Sequence, residues 1–583
     1  MKIDKAYVEM GSKLANFSLL YPSGVSSNEH VATEATLFLE LSPAAVHDLG
    51  LDEIIAALTP HREHQKEIRA LFSRLPRDPE VIRYRQAVLD DLLANPALAE
   101  RFASILTVID SLFQYSYRAK REMSWLHEVV WRAGELQNII DCFEGMGQIL
   151  GSVEGSIHSA GLRDLQEEIH KAQNDPKYQS LVKELPELLS NLQSCASITI
   201  GVNLDTSLRP IQATLLSVNE KPFTDQSLLN RLFGVRKDRE GIAPLHSAPR
   251  RNVEGPYGFA IDPELGWAVD PMLIPLFADL ANVLEKTAIP IADRLNQYAG
   301  LHGQLFKNLR QGLIFYLGAV RFIQRFQKRD LPLCQPQIAP TDERRCEVKD
   351  SYNVHLALKY LETDEDTGSA IVKNDIFMGS DGQILILTGP NRGGKTTYMQ
   401  GAGVVHILAQ AGLRVPGTQA VISPMDHLFT HFPLEEKPES DAGRFGEEAM
   451  RLGEIFEQVT RHSLVLLNES LSSTSFGESL YLAQDIVRIL RRVGARAIFS
   501  THLHELANSV DELNASVPGD SKIISVVSSP VDTAAHADGV EVRHTYKLEI
   551  RPPLGQSYAR EIAARYGISY QQLENVLAER GIL

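Results

Sequence analysis

The chain has 583 residues, of which 44% are hydrophobic and 23% charged, a composition typical of a soluble globular protein with several domains. Its 58 Lys and Arg against 74 Asp and Glu give a net charge of −16, which excludes a uniformly basic nucleic-acid binder; any nucleic-acid contact must use a local basic face. Four separated cysteines, and no apolar run of signal-peptide or membrane-span type, predict a reduced cytoplasmic protein that does not insert into a membrane.

Helical periodicity dominates the first 340 residues. Apolar residues recur three and four positions apart, for example at Leu313, Tyr316, Leu317 and Val320. We predict an N-terminal segment, residues 1–95, that leads into a helical core and lever, residues 96–340. Within that region, apolar residues alternate along 198–204 and again along 211–215, which predicts a short β-hairpin near residues 197–218.

The composition changes after residues 331–340, where prolines punctuate the chain. Beyond this point apolar runs at 384–387, 464–467 and 497–500 alternate with helical patterns. Such alternation is typical of a mostly parallel sheet covered by helices. The predicted fold is therefore multidomain: a mainly α-helical core and lever, followed by an α/β domain over residues 341–583.

The run GPNRGGKTT carries the most specific motif in the chain. It fits G-x-x-x-x-G-K-[ST] and lies between an apolar strand and a helical stretch, the context in which this loop binds phosphates. Backbone N–H groups surround the phosphates, the lysine reaches the β- and γ-phosphates, and the hydroxyl ligates Mg²⁺. We predict an ATP and Mg²⁺ site with the nucleotide-binding residues Gly389, Pro390, Asn391, Arg392, Gly393, Gly394, Lys395, Thr396 and Thr397.

Two later strands end in residues that suit catalysis at such a site. Glu469 follows an apolar strand and is predicted to polarise the attacking water. Asn468 precedes it, where an Asp usually holds Mg²⁺ through water; an amide oxygen accepts hydrogen bonds but carries no charge, so weaker Mg²⁺ binding and slower turnover are expected. Thr396 and Asn468 are the predicted metal residues. His502 ends a further strand, where it could sense the γ-phosphate.

Several ordered motifs resemble the ATPase domain of the MutS mismatch-repair family. They are GPNRGGKTT, VKNDI, LLNES, STHLHEL and LGQSYAREIAARYGIS. The resemblance extends more weakly upstream, through core and lever, and no segment resembles the family's mismatch-reading domain. It implies a short family member with an ABC-type P-loop ATPase that hydrolyses ATP to ADP and phosphate and pairs as a homodimer. Tyr352 and His355 lie roughly where family members contact the adenine.

The family also has an S-T-F…E loop that reaches the nucleotide of the partner subunit. Here the corresponding run is AGRFGEEAM, in which Phe445 and Glu448 match but Gly443-Arg444 replace Ser-Thr. The resemblance implies a trans signature loop of Arg444, Phe445 and Glu448. Two roles remain open for Arg444: a guanidinium supplied to the partner's nucleotide, or an exposed loop arginine.

Three functions fit these observations. The first is an ATP-gated dimeric clamp on mismatched, branched or otherwise structured DNA, acting in DNA repair. The second is an ATP-driven switch that acts on a protein or ribonucleoprotein, which the acidic charge favours. The third is a nucleotide-binding scaffold with little turnover, which Asn468 and Gly443-Arg444 allow. Salt-dependent DNA binding separates the first two, and ATP turnover separates the third.

Overall fold

The structure is a computed structural model of the 583-residue chain. It describes residues 17–22, 37–118, 125–153, 155–193, 197–219, 221, 224–225, 240–241, 293–295, 298, 303–362, 371–390, 393–433, 443–536, 539–553 and 567–582.

The chain divides into two compact units. One comprises Met1–Ala103, Val153–Leu165 and Lys307–Leu583, and the other comprises Ser104–Ser152 and Gln166–Phe306. The first unit thus combines N-terminal and C-terminal parts of the chain. The domain boundaries predicted after residues 95 and 340 stay predictions.

The described N-terminal part of the first unit consists of short helices and two short strands, and side chains cap the first and the last of these helices. In chain order its elements are β1 (Phe38–Glu40), α1 (Pro43–Asp48), α2 (Leu51–Leu58), α3 (Arg62–Phe72), β2 (Arg74–Pro76) and α4 (Pro79–Ala94). Ser42 and Asp78 cap α1 and α4, each followed by a proline in the first turn, which suits proline because that position needs no N–H donor. Strands β1 and β2 pair antiparallel.

The second unit is mainly helical. Four helices run through this part of the chain, and the first and third begin in the first unit: α5 (Pro96–Arg118), α6 (Trp125–Ser152), α7 (Ala160–Gln173) and α8 (Pro176–Gln193). Phe143 packs edge-to-face against Tyr178 and Phe306, with ring centroids 5.3 and 5.0 Å away. An antiparallel hairpin follows, made of β3 (Ser197–Leu204) and β4 (Pro210–Asn219), and then a two-residue pair, β5 (Thr224–Asp225) with β6 (Glu240–Gly241).

The C-terminal part carries a six-stranded sheet and a four-stranded one. Its helices are α9 (Gly303–Gln327), α10 (Val354–Leu361), α11 (Lys395–Ala411), α12 (Gly443–Gln458), α13 (Phe476–Val493), α14 (His504–Asn508), α15 (Val510–Ser516) and α16 (Tyr570–Glu579), with a 3₁₀ turn at Thr341–Glu343. Its strands are β7 (Leu333–Cys334), β8 (Gln337–Ile338), β9 (Cys346–Ser351), β10 (Asn374–Met378), β11 (Ile384–Thr388), β12 (Val415–Pro416), β13 (Gln419–Ile422), β14 (Leu428–His431), β15 (Leu464–Asn468), β16 (Arg496–Ser500), β17 (Ile523–His536) and β18 (Gly539–Ile550).

The six-stranded sheet has the order β14-β15-β16-β11-β17-β18. Its first five strands are parallel and β18 is antiparallel. Strands β11, β15 and β16 are buried along their whole length, as expected for parallel strands covered on both faces. The predicted combination of a helix-rich multidomain chain with a mostly parallel C-terminal sheet is confirmed. The three central strands are those that the apolar runs predicted.

The N-terminal helices pack against the helix that follows the phosphate-loop motif. The side chain of Thr430, on β14, donates to Asp48 Oδ2 at 2.7 Å, and Gln400 Nε2, on α11, donates to the Asp48 carbonyl at 2.9 Å. A Cβ on Gly403 of α11 would lie 2.9 Å from Leu49, so this glycine permits close approach. The segment around Asp48 and Leu49 therefore packs directly against β14 and α11 of the α/β sheet.

Among the described residues, no single helix combines the length and the apolar character that a membrane crossing needs. One bent pair, Pro79–Ala94 with Pro96–Ser111, meets the two criteria jointly, with an angle of 105° at the break.

Candidate functional site

The motif forms a tight bend between β11 and α11. Gly389 follows the last residue of β11 with a φ of +143°, and Gly394 precedes α11 with a φ of +85°, values that side chains other than glycine rarely adopt. A Cβ on Gly389 would lie 2.7 Å from Ser528 Cβ. Within the bend, the Gly393 N–H donates to the Pro390 carbonyl at 3.1 Å. Asn391 and Arg392 lie outside the described residues.

Lys395 lies inside this bend with 5% of its surface exposed. Its Nζ donates to the carbonyls of Gly389 and Pro390, at 3.0 and 3.1 Å. Burial lowers the pKa of Lys395, and the charge of the Glu469 carboxylate opposes this by raising it. The Lys395 amine is thus poorly solvated and is held by carbonyls of its own loop. A basic group therefore lies where loops with this motif bind phosphate.

Thr396 and Asn468 meet beside the lysine. The Thr396 hydroxyl donates to Asn468 Oδ1 at 3.2 Å, and Asn468, the last residue of β15, is 7% exposed. The structure therefore brings together the two residues predicted at the metal, with an uncharged amide where a carboxylate would add a negative charge. The next residue, Thr397, contributes its carbonyl to the site's support by accepting from Asn353 Nδ2 at 2.8 Å.

Glu469 and His502 form a pair at the same edge of the sheet. They follow the neighbouring parallel strands β15 and β16, and Glu469 Oε1 lies 2.9 Å from His502 Nε2. Glu469 has a φ of +50°, and its N–H donates to the Ser500 carbonyl at 2.9 Å, which turns its side chain out of the strand direction. The hydrogen bond from His502 lowers the pKa of Glu469, burial opposes this, and the charges of His502 and Lys395 lower it further.

Two residues beside the bend were missed by the sequence analysis. Ser528, on β17, donates its hydroxyl to the Gly393 carbonyl at 2.6 Å. Tyr546, on β18, has a φ of +55°, is 44% exposed and lies 3.4 Å from where a Cβ on Gly394 would be. Neither belongs to a short motif, and only the strand pairing of β11, β17 and β18 brings them here.

The two aromatic residues considered for the adenine have other contacts. Tyr352 is 3% exposed, and its hydroxyl donates to the Pro332 carbonyl at 3.1 Å. His355 Nε2 lies 2.8 Å from the Leu49 carbonyl oxygen, and its Nδ1 lies 3.0 Å from a Glu53 carboxylate oxygen. His355 thus contacts the N-terminal helices, and Tyr352 contacts the segment that follows α9. Among the described aromatic residues, Tyr546 lies beside the bend.

The segment compared with the trans signature loop forms the start of α12. Phe445 is 37% exposed, whereas Glu448 is 8% exposed and accepts from the Ser473 hydroxyl at 2.9 Å. The Arg444 side chain lies outside what the structure describes. A cleft of about 470 Å³ lies between α12 and α13 and is lined by Phe445, Thr474, Gly477, Glu478, Tyr481 and Leu482. None of these lining residues belongs to the phosphate-loop motif, so this cleft is separate from the bend.

Comparison with known protein families gives two matches. Residues 385–568 match the model of MutS domain V, and residues 77–329 match the model of the MutS2 N-terminal domain. The first match includes most of β11, the bend, Glu469, His502 and Tyr546. The second covers α4 to α9.

Curated relatives carry the same names. A DNA mismatch repair protein MutS of Shouchella clausii is 37% identical over 144 residues, which are 24% of this chain and 16% of the relative. A putative endonuclease MutS2 of Bacillus subtilis is 33% identical over 205 residues, 34% of this chain and 23% of the relative. A DNA mismatch repair protein MutS 2 of Halobacterium salinarum is 33% identical over 189 residues, 31% and 22% respectively. The similarity thus spans a quarter or less of each of these relatives.

Proposed function

We propose that the chain is a MutS-type ATPase in which ATP binding and hydrolysis gate a dimeric clamp on mismatched, branched or otherwise structured DNA; the matches to MutS domain V and to the MutS2 N-terminal domain support this. The observation that carries this proposal is the meeting of Lys395, Thr396 and Glu469 at the carboxyl edge of one parallel sheet. Ligands of open α/β sheets bind at that edge.

The bend suits a polyphosphate. A Cβ on Gly389 or on Gly393 would lie 2.7 Å from an atom of Ser528, so the glycines allow the backbone of the bend to pack closely against β17. Among the described residues, the buried Lys395 ammonium donates to two loop carbonyls, which phosphate oxygens can replace as acceptors. We assign nucleotide binding to residues 389–397, including Asn391 and Arg392. Thr396 and Asn468 would hold Mg²⁺, Asn468 through water, and the ion would neutralise phosphate charge. Since Asn468 is uncharged, we expect Mg²⁺ to bind weakly.

Glu469 and His502 are the proposed catalytic residues. A water aligned with the γ-phosphorus would donate a hydrogen bond to the Glu469 carboxylate, which is kept ionised by its His502 partner. His502 would shift from Glu469 toward the γ-phosphate when ATP is bound, since an imidazole can serve one acceptor or the other. Tyr546, exposed beside Gly394, is placed to stack on the base.

A second copy of the chain would complete the site. Large apolar side chains are exposed on α12 and α13, where Phe445, Met450, Phe476 and Tyr481 are 37–63% exposed. Such exposure supports an interface on this face. In the proposed homodimer, Arg444 and Phe445 approach the nucleotide of the partner, and the buried Glu448 holds the start of α12 through Ser473.

The DNA-binding assignment rests on the family match and not on charge, because the chain carries −16 overall. An ATP-driven switch on a protein or ribonucleoprotein is the second candidate, and the same acidic charge favours it. The two differ in salt dependence. A clamp that contacts phosphates releases counterions, so its affinity falls linearly with salt on a logarithmic scale.

The test uses the full chain and a Glu469→Gln variant, with Glu512→Gln as a control on the exposed face of α15. We expect Glu469→Gln to bind ATP with at most a few-fold change in affinity and to lose at least 100-fold in turnover. In the presence of ATP it should accumulate on branched DNA more than on linear or single-stranded DNA, with affinity that falls as salt rises.

Different failures separate the alternatives. Normal turnover in Glu469→Gln would remove Glu469 from the chemistry. ATP turnover without salt-dependent binding to any DNA would replace the clamp by the switch on a protein partner. No turnover in the unmodified chain, with tight nucleotide binding, would leave the low-turnover scaffold.

A further inference from the structure

Ser528 lies directly beneath the phosphate-loop bend. Strand β17 runs parallel to β11, and the last pair in their register is Thr388 with Val527, so Ser528 comes opposite Gly389. Its side chain is fully buried, at 0% exposure. The hydroxyl donates to the Gly393 carbonyl at 2.6 Å, a short bond that links β17 to the far end of the bend.

The same residue touches both ends of the loop. A Cβ on Gly389 would lie 2.7 Å from Ser528 Cβ, and a Cβ on Gly393 would lie 2.7 Å from Ser528 Oγ. These distances leave no room for a larger side chain at either glycine. The backbone of the bend therefore packs directly against Ser528, where the chain leaves β11 and turns toward α11.

The hydrogen bond also fixes the orientation of one peptide group. The Gly393 carbonyl and the Gly394 N–H belong to the same peptide unit, which is planar and trans, so the two groups point in opposite directions. With the carbonyl held toward β17, the Gly394 N–H points away from β17. Gly394 is the N-cap of α11, and an N–H at a helix start is a donor to anions.

We propose that Ser528 is a positioning residue, whose hydroxyl holds the Gly393–Gly394 peptide so that its N–H faces the nucleotide phosphates. This inference rests on the proposed function, because it requires a phosphate in the bend. Part of the nucleotide affinity then comes from the Gly394 N–H, which Ser528 orients before the nucleotide binds. That contribution matters more here because Asn468 supplies no charge to the metal.

The test compares Ser528→Ala with Ser525→Ala. Ser525 lies on the same strand, is 9% exposed and has a buried hydroxyl without a hydrogen-bond partner among the described residues, so its removal is a matched loss of a buried oxygen. The measurements are the dissociation constants for ADP and for a non-hydrolysable ATP analogue, at a temperature where every variant is folded, and kcat at saturating ATP.

We expect Ser528→Ala to weaken nucleotide binding about tenfold, the usual effect of misaligning one donor to a charged group. Its kcat should stay within about twofold, because Glu469 and His502 follow other strands. Ser525→Ala should change neither quantity. A residue that only stabilises the fold would lower the unfolding temperature of Ser528→Ala and leave the dissociation constants unchanged, which would overturn the proposal.

Nucleotide binding by the unmodified chain distinguishes a failure of the proposed function from a failure of the role of Ser528. If the unmodified chain binds no nucleotide, the proposed function fails first. If the unmodified chain binds nucleotide and Ser528→Ala binds it equally well, only the role of Ser528 fails. Should Ser528→Ala not fold, Ser528→Cys keeps the volume and offers a weak donor; its affinity should be intermediate, and an affinity equal to that of the unmodified chain would again reject the proposal.

Discussion

The two edges of the six-stranded sheet each bury a cation, and they treat it differently. At the amino edge, Arg496 begins β16 with 0% exposure and donates to the carbonyls of Ser423, Pro424 and His462 at 3.0, 3.2 and 2.9 Å. At the carboxyl edge, Lys395 donates to two carbonyls of its own loop and, within the described residues, to no other segment. Arg496 thus connects separate segments of the fold, whereas Lys395 bonds within the phosphate-loop bend of the proposed site.

This difference follows from the chemistry of the two side chains. A guanidinium is planar with five donors, so it can bind several fixed carbonyls at once and connect the segments that carry them. An ammonium is a compact point charge on a flexible stem, which can exchange weak carbonyl partners for phosphate oxygens at little cost. Burial lowers the pKa of Arg496 to about 10, so its guanidinium remains charged at neutral pH. Burial also lowers the pKa of Lys395.

The strongest test of the comparison is Arg496→Met. It removes the donor of three carbonyls, two on the buried residues Ser423 and Pro424 and one on the half-buried His462. The free energy of unfolding should fall by about 3 kcal/mol or more, since each unsatisfied buried group costs about 1–3 kcal/mol. Urea denaturation measures this, with the exposed Arg492→Met as control. Nucleotide affinity of the folded fraction should not change. A decrease in the free energy of unfolding of less than about 1 kcal/mol would show that the bonds of Arg496 do not stabilise the fold.

The pH dependence of stability tests the surroundings of Arg496 through His406, a residue of α11. Its Nδ1 lies 2.9 Å from the Ala402 carbonyl oxygen and 3.7 Å from Cys346 Sγ, and its Nε2 lies 3.5 Å from Arg496. Burial, helped by the charge of Arg496, lowers the pKa of His406 to about 3. Above pH 6.5 the imidazole is neutral in both states. Below it the unfolded chain takes up the proton and the folded chain does not, so stability is lost as pH falls from 6.5 toward 3.

The expected size is about 1.4 kcal/mol for each pH unit in that window, or about 2 kcal/mol at pH 5. His406→Gln keeps a polar amide and cannot titrate, so it lacks this contribution. Urea denaturation at pH 7, 6 and 5 should therefore show the free energies of the two proteins converging or crossing as pH falls. Curves that stay parallel would mean that His406 takes up its proton over the same pH range in the folded and the unfolded state, which contradicts the prediction.

Local signals in the sequence predicted the central strands and the bend. Fully apolar runs of four or five residues and a spaced glycine motif depend only on neighbours in the chain, so β11, β15 and β16 could be located in advance. The metal and catalytic roles given to Asn468, Glu469 and His502 stay predictions, although the structure brings these residues together with Lys395 and Thr396.

What the sequence did not predict depends on pairing between distant segments. Asp48 meets Gln400 across 352 positions, and Ser528 meets Gly393 across 135. Neither contact leaves a periodic pattern or a motif, because each uses one polar side chain and one backbone carbonyl. The packing of the N-terminal helices onto α11 and the support beneath the bend became visible only once strand order and register were known.

The substitution Lys395→Met, at the carboxyl edge of the six-stranded sheet, should have the smallest effect on stability. The substitution keeps the length of the side chain, removes a poorly solvated charge and leaves two loop carbonyls without a donor, so the opposing contributions should change the free energy of unfolding by less than about 1 kcal/mol. Nucleotide binding should be lost. Urea denaturation without nucleotide, paired with an ADP-binding measurement, gives both quantities. A loss of stability as large as that of Arg496→Met would make Lys395 a structural cation too, and the distinction between the two edges would no longer hold.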